Sequence, residues 1–153
     1  MAVVAGLTGA AAITGGRWAK KRRVAAACRV GILDDAGVFC LTGLYDSGNL
    51  LCDPLGGEAV IILCQEAFLR VVPEAVRALA TSQDPTALDT VPPCYARCLR
   101  LIPSHSVGGK TMLLCYRPRS ITIDGIEKEA LLALGDEGFD GKDALVPALL
   151  CER

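Results

Sequence analysis

From Val24 onward the chain breaks into short runs of β-branched and aliphatic residues, each closed by turn residues. This punctuation constrains the fold more than any other feature. Residues 28–33 and 37–45 are two such runs. Asp34-Asp35-Ala36-Gly37 between them has hairpin chemistry, because Asp and Gly supply the turn conformations. A third strand is predicted over 58–63, after the breaker Asp53-Pro54-Leu55-Gly56-Gly57. Residues 65–80 read as helical turns interrupted by Pro73, and 81–93 as a polar loop ending in Pro92-Pro93. Further strands are predicted at 96–103, 111–116, 120–123 and 130–134, with a final short helix over 144–150. No strand–helix–strand rhythm is present, which argues against a doubly wound sheet. The expectation is one mainly β domain over 24–153, with one or two short helices.

The segment before it, residues 1–23, is different. Residues 2–16 are apolar and small, and Arg17, Lys20, Lys21, Arg22 and Arg23 follow with no acid. Apolar-then-basic is the order of a membrane segment ending on the cytoplasmic side. The apolar part is shorter than the roughly 20 residues needed to span a bilayer. A signal peptide would put its charges first. A membrane-proximal segment is expected here, either the end of a membrane helix or a flexible tail. The other 11 Lys and Arg face all 17 Asp and Glu, so the body has no basic excess and nucleic-acid binding is not expected. The eight cysteines form no Cys-x-x-Cys pair and His105 is the one histidine, so no metal and no cofactor are expected. Most of the cysteines read as small buried hydrophobes in a reducing compartment.

The segment with the most chemical content is Leu44-Tyr45-Asp46-Ser47-Gly48-Asn49, where an apolar strand runs into Asp-Ser-Gly. An aspartic protease needs this arrangement. The carboxylate leaves the strand end into a cleft, the neighbouring hydroxyl can bond a symmetric partner loop, and glycine lets the backbone fold tightly. Catalysis takes two such carboxylates sharing one proton. The same three residue types also make plain turns, and about one chain in ten of this length holds such a tripeptide by chance. The chain has one Asp-Ser-Gly. It therefore cannot be a two-lobed enzyme, but it can supply half of a symmetric dimer.

Two longer runs carry a family resemblance. Residues 43–63, G-L-Y-D-S-G-N-L-L-C-D-P-L-G-G-E-A-V-I-I-L, contain Asp-(Ser/Thr)-Gly-Asn-x-Leu-x-Asp-Pro followed by an apolar strand. Residues 101–123 contain Ile-Pro-x-x-x-Val-Gly, a strand and a Pro-punctuated apolar segment. In this order, over roughly 28–150, they resemble the sporulation sigma-E factor processing peptidase of endospore-forming bacteria. The resemblance implies a retropepsin-like closed β-barrel, an acid-protease half domain that homodimerises. It implies an aspartic endopeptidase that removes the pro-sequence of a sporulation sigma factor. Its partners would be the sigma-factor precursor and a secreted forespore signalling protein. It would sit at the mother-cell membrane, with the protease domain facing the cytoplasm. Asp46 would be catalytic, with Ser47, Gly48 and Asn49 completing its loop. The family's multi-helix membrane part is missing, so a soluble fragment or a truncated relative is expected.

Other site residues follow from the same reading. Gly108-Gly109 reads as a hairpin tip, and His105, Val107, Gly108 and Gly109 would form a flap or substrate-binding edge; an ordinary surface hairpin is the alternative. Leu132-Ala133-Leu134-Gly135 is the candidate for a supporting late loop, through Ala133 or Gly135. Asp53 is expected to form an Asp-Pro turn rather than act as a second acid. Gly109-Lys110-Thr111 resembles the end of a phosphate loop, but Ser104 stands where its first glycine should be and a strand follows. A serine-hydrolase elbow fails because Tyr45 and Asn49 replace both glycines around Ser47. The rival from another class is a non-catalytic module that docks the sigma-factor precursor or a membrane partner.

Overall fold

A computed structural model describes residues 26–135 and 138–151. The expected membrane-proximal segment 1–23 lies outside the described residues. Among those described, no helix is long and apolar enough to cross a membrane.

The chain opens with a hairpin of β1 (Ala27–Asp34) and β2 (Gly37–Asp46), paired from Ala27↔Leu44 to Asp34↔Gly37. Gly37 closes it at φ +133°, a conformation that side chains resist. Next come β3 (Ala59–Leu63) and the helices α1 (Gln65–Val71), α2 (Glu74–Ala80) and α3 (Pro93–Ala96). A second hairpin, β4 (Leu99–Ser106) and β5 (Gly109–Tyr116), follows. Then come β6 (Ser120–Ile123), β7 (Ile126–Lys128), β8 (Ala130–Leu134) and β9 (Ala144–Pro147), with a 3-10 turn over Ala148–Cys151.

These strands form one sheet in the order β4-β5-β8-β3-β9-β2-β1-β6-β7. Mainly β is therefore right, but the sheet runs from edge to edge among the described residues, and β7 does not pair back to β4 to close a barrel by hydrogen bonds. Among the described residues three short α-helices stand where one or two are expected, because Pro92-Pro93 starts an extra turn, α3. That turn takes Ala96, so β4 begins at Leu99 rather than at residue 96. β4 also continues through Pro103, which an edge strand tolerates.

The expected helix over 144–150 is instead β9 plus a 3-10 turn. Ala-Leu-Val-Pro is a short apolar run, and periodicity cannot separate a buried strand from a buried helix at that length. β9 decides the topology. It runs parallel to β2 and antiparallel to β3, and it lies between them. The chain leaving β2 must therefore cross the end of β9 to reach β3.

Two apolar clusters lie on the sheet. The larger packs α1 and α2 over Val30, Ile32, Leu41, Ile61, Leu63 and Val146. The smaller comprises Val60, Ile102, Cys115, Leu131 and Ala133, with Leu51 and Leu113 against it. Alternate residues of a strand face opposite sides. The two clusters thus mark the two faces of the central strands. One polar pair is embedded in the larger core: the Tyr116 hydroxyl donates to Asp34 Oδ2 at 2.6 Å, with both residues buried.

Candidate active site

Asp46 is the last residue of β2 and stands opposite Pro147 of β9. The turn begins at the next residue. The Gly48 N–H donates to Asp46 Oδ1 at 2.8 Å, and the Asn49 N–H donates to the Asp46 carbonyl at 3.2 Å. Ser47 and Gly48 are exposed, Asp46 is half-buried and Asn49 is buried. The Asn49 amide Nδ2 donates to the Val60 carbonyl at 2.9 Å, while its Oδ1 accepts the Leu51 N–H at 3.2 Å.

Strand alternation places Asp46 and Leu44 on the face shared with Leu145, Pro147, Ile62 and Val60. This is the face of the smaller cluster. Half-buried Leu51 and Leu113 border it, and beside the turn Leu50 is 84% exposed. Leu149, two residues beyond Pro147, is 64% exposed. A carboxylate held by its own loop thus sits on the face of a buried aliphatic cluster, with the exposed Leu50 and Leu149 near it in the chain.

The β4–β5 hairpin places its residues unequally. Val107 and Gly108 form its tip, Val107 is fully exposed, and Gly109 adopts φ +116°. Directly paired residues share a face, so Ile102, Leu113, Ser104 and Thr111 belong to the face of the smaller cluster. His105 pairs with Lys110 and lies on the other face.

The late-loop candidates separate in the same way. Ala133 is buried in the smaller cluster, opposite Ile62 and Cys115. The Gly135 N–H donates to the Leu63 carbonyl at 2.7 Å. Leu63 pairs with Ala144, at the start of β9, whereas Asp46 pairs with Pro147, at its end. Gly135 is therefore at the opposite end of β9 from Asp46. The segment that flanks Asp46 is Leu145-Val146-Pro147, which the sequence reading assigned to a helix. Its usable signal was Pro147, which sits poorly inside a helix.

Asp53 is 4% exposed, and its Oδ1 accepts the Leu55 N–H at 2.9 Å, which makes it a turn former. Its Oδ2 lies 3.7 Å from Arg100 Nε, and the Arg117 guanidinium pairs with Glu58. These ion pairs tie the segment after the Asp46 turn to β4 and to the residue after β5. Just before Asp46, the Tyr45 hydroxyl donates to Asp124 Oδ2 at 3.3 Å, and Asp124 Oδ1 accepts the Arg29 N–H at 2.8 Å. Burial, a hydrogen bond with Cys151 and the nearby Cys28 and Asp124 raise the Tyr45 phenol above its ordinary range. It therefore stays a neutral donor. Among the described residues no group of three His, Cys, Asp or Glu side chains is placed to hold a metal ion.

Comparison with known families adds one result. A family model, Peptidase_U4, described as sporulation factor SpoIIGA, matches residues 2–141. No curated protein matches the chain.

Proposed function

Because the chain belongs to the Peptidase_U4 family of the sporulation factor SpoIIGA, a family of sporulation peptidases, we propose that it is an aspartic endopeptidase with one Asp46 per subunit. One observation carries this reading. The Asp-Ser-Gly turn leaves a strand end where the chain crosses β9, with exposed Leu50 following it in the chain and exposed Leu149 two residues beyond Pro147. A second copy placed there brings its own Asp46 to the first and covers Leu50 and Leu149.

The two carboxylates then share one proton, since like charges about 3 Å apart cannot both ionise. The ionised one takes a proton from a bound water, and the water oxygen bonds to the scissile carbonyl carbon. The protonated one donates to the carbonyl oxygen. Collapse of the tetrahedral intermediate breaks the C–N bond as the amine leaves with a proton, and no covalent enzyme intermediate forms. The Gly48 N–H on Asp46 Oδ1 orients the carboxylate for this work. The β4–β5 hairpin, with Val107, Gly108 and Gly109 at its tip, is the flap that closes over the peptide. The substrate is the precursor of a sporulation sigma factor, and the product is that factor without its pro-sequence. A secreted forespore signalling protein is the activator, and the site of action is the mother-cell membrane on its cytoplasmic side.

The test is coexpression with the sigma-factor precursor. The wild-type chain shortens the precursor and Asp46→Ala does not. Equal processing by both chains removes Asp46 from the mechanism.

A further inference from the structure

β9 separates β2 from β3, so no backbone ladder joins the strand that carries Asp46 to the strand that follows it. Among the residues of the turn itself, Asn49 supplies a side-chain tie to β3. Asn49 is 7% exposed, while Ser47, Gly48 and Leu50 around it face solvent. Its carboxamide has the donor and acceptor of a peptide unit, and both are used: Nδ2 on the Val60 carbonyl and Oδ1 on the Leu51 N–H. Val60 is fully buried and also donates its own N–H to the Leu51 carbonyl at 3.0 Å. The Asn49 N–H completes the path to the Asp46 carbonyl.

We propose that Asn49 is a positioning residue, its side-chain amide replacing the strand peptide that β9 displaces and so fixing the Asp46 turn to β3. The proposal rests on the reading of Asp46 as catalytic. Without this tie the turn loses its side-chain bond to β3, while the bonds from Gly48 and Asn49 to Asp46 and from the Val60 N–H to Leu51 remain. The carboxylate then moves relative to its counterpart in the second subunit. A misplacement of about 1 Å costs on the order of 100-fold in rate. Asparagine alone meets the geometry: glutamine is one methylene longer, and an ionised aspartate keeps the acceptor but offers no donor to Val60.

Two measurements on the whole chain test this. In hydrogen exchange, Asn49→Ala speeds exchange of the amides of residues 47–51 by about tenfold or more, as local opening does, and leaves β1 and the helices unchanged. Unchanged exchange at 47–51 overturns the proposal. In precursor cleavage, Asn49→Ala lowers kcat about 10–100-fold with little change in KM. Asn49→Asp regains activity relative to wild type as pH falls through the carboxyl range, about pH 6 to 4, because the protonated carboxyl donates to Val60 again. An Asn49→Asp to wild-type ratio that does not vary with pH, or a loss confined to KM, contradicts it. If Asp46→Ala cleaves like wild type, the catalytic reading fails separately, and the exchange result alone decides whether Asn49 holds the turn.

Discussion

At the scale of single residues, two carboxylates each anchor a turn: Asp46 accepts the Gly48 N–H and Asp53 accepts the Leu55 N–H. Asp46 was legible because Asp, Ser and Gly at a strand end form a recognisable turn, and Asp53 because Asp-Pro starts another. The role of Asn49 was not legible, because its partner Val60 is 11 positions away across a crossing that the sequence does not display. His105 drew attention as the one histidine, yet its strand position turns it away from the Asp46 face. The cysteines depart from the expectation of mostly buried hydrophobes: Cys28, Cys64 and Cys115 are buried, and the other five are not. Burial pushes the Cys28 thiol up to about 11 and the Cys115 thiol up to about 12. Their thiolates are scarce at pH 8, whereas Cys40, Cys52, Cys94 and Cys151 are exposed. Alkylation of the native chain at pH 8 should mark the four exposed cysteines first. Labelling of Cys28 and Cys115 should wait for unfolding, as peptide mass analysis would show; early labelling of Cys115 would contradict the packing. The buried Asp34–Tyr116 pair gives a stability test. Tyr116→Phe leaves a buried carboxylate short of a donor and should cost about 1–3 kcal/mol in denaturant unfolding.

At the scale of elements, alternating strands were readable and short apolar runs were not. β1, β2, β6 and β8 fall within one or two residues of expectation, because their apolar residues alternate or lie between clear turns. β7 has three residues, too few for a pattern. The short apolar run of β9 reads as a helix in the sequence, so the strand that pairs with β2 beside Asp46 is not visible there. Gly135 nevertheless has a packing duty. A Cβ there would lie 2.5 Å from Ile62 Cγ2, 3.0 Å from the Leu63 carbonyl oxygen and 3.1 Å from Phe139 Cζ. Gly135→Ala should therefore destabilise the fold by about 1–3 kcal/mol through overpacking. In precursor cleavage it should leave KM and kcat near wild type at temperatures where it stays folded, because it lies at the far end of β9 from Asp46. A selective fall in kcat would place Gly135 in the active-site support after all.

At the scale of the whole molecule, one nine-stranded sheet carries a large core under α1 and α2 on one face. The other face holds a smaller cluster beside Asp46. That asymmetry gives the single Asp-Ser-Gly its meaning: the described residues form one sheet and hold half of the proposed catalytic pair. Leu50→Asp with Leu149→Asp should weaken self-association in sedimentation and reduce cleavage in parallel, without unfolding the chain, because both side chains are mostly exposed in the single subunit. Paired loss of association and activity is the expected signature of a site made at an interface. The most direct test mixes wild-type and Asp46→Ala chains at fixed total concentration and follows precursor cleavage. A site that needs Asp46 from both subunits predicts activity falling as the square of the wild-type fraction. A fall linear in that fraction would mean that each chain cleaves with its own Asp46, and the shared-carboxylate account would be wrong.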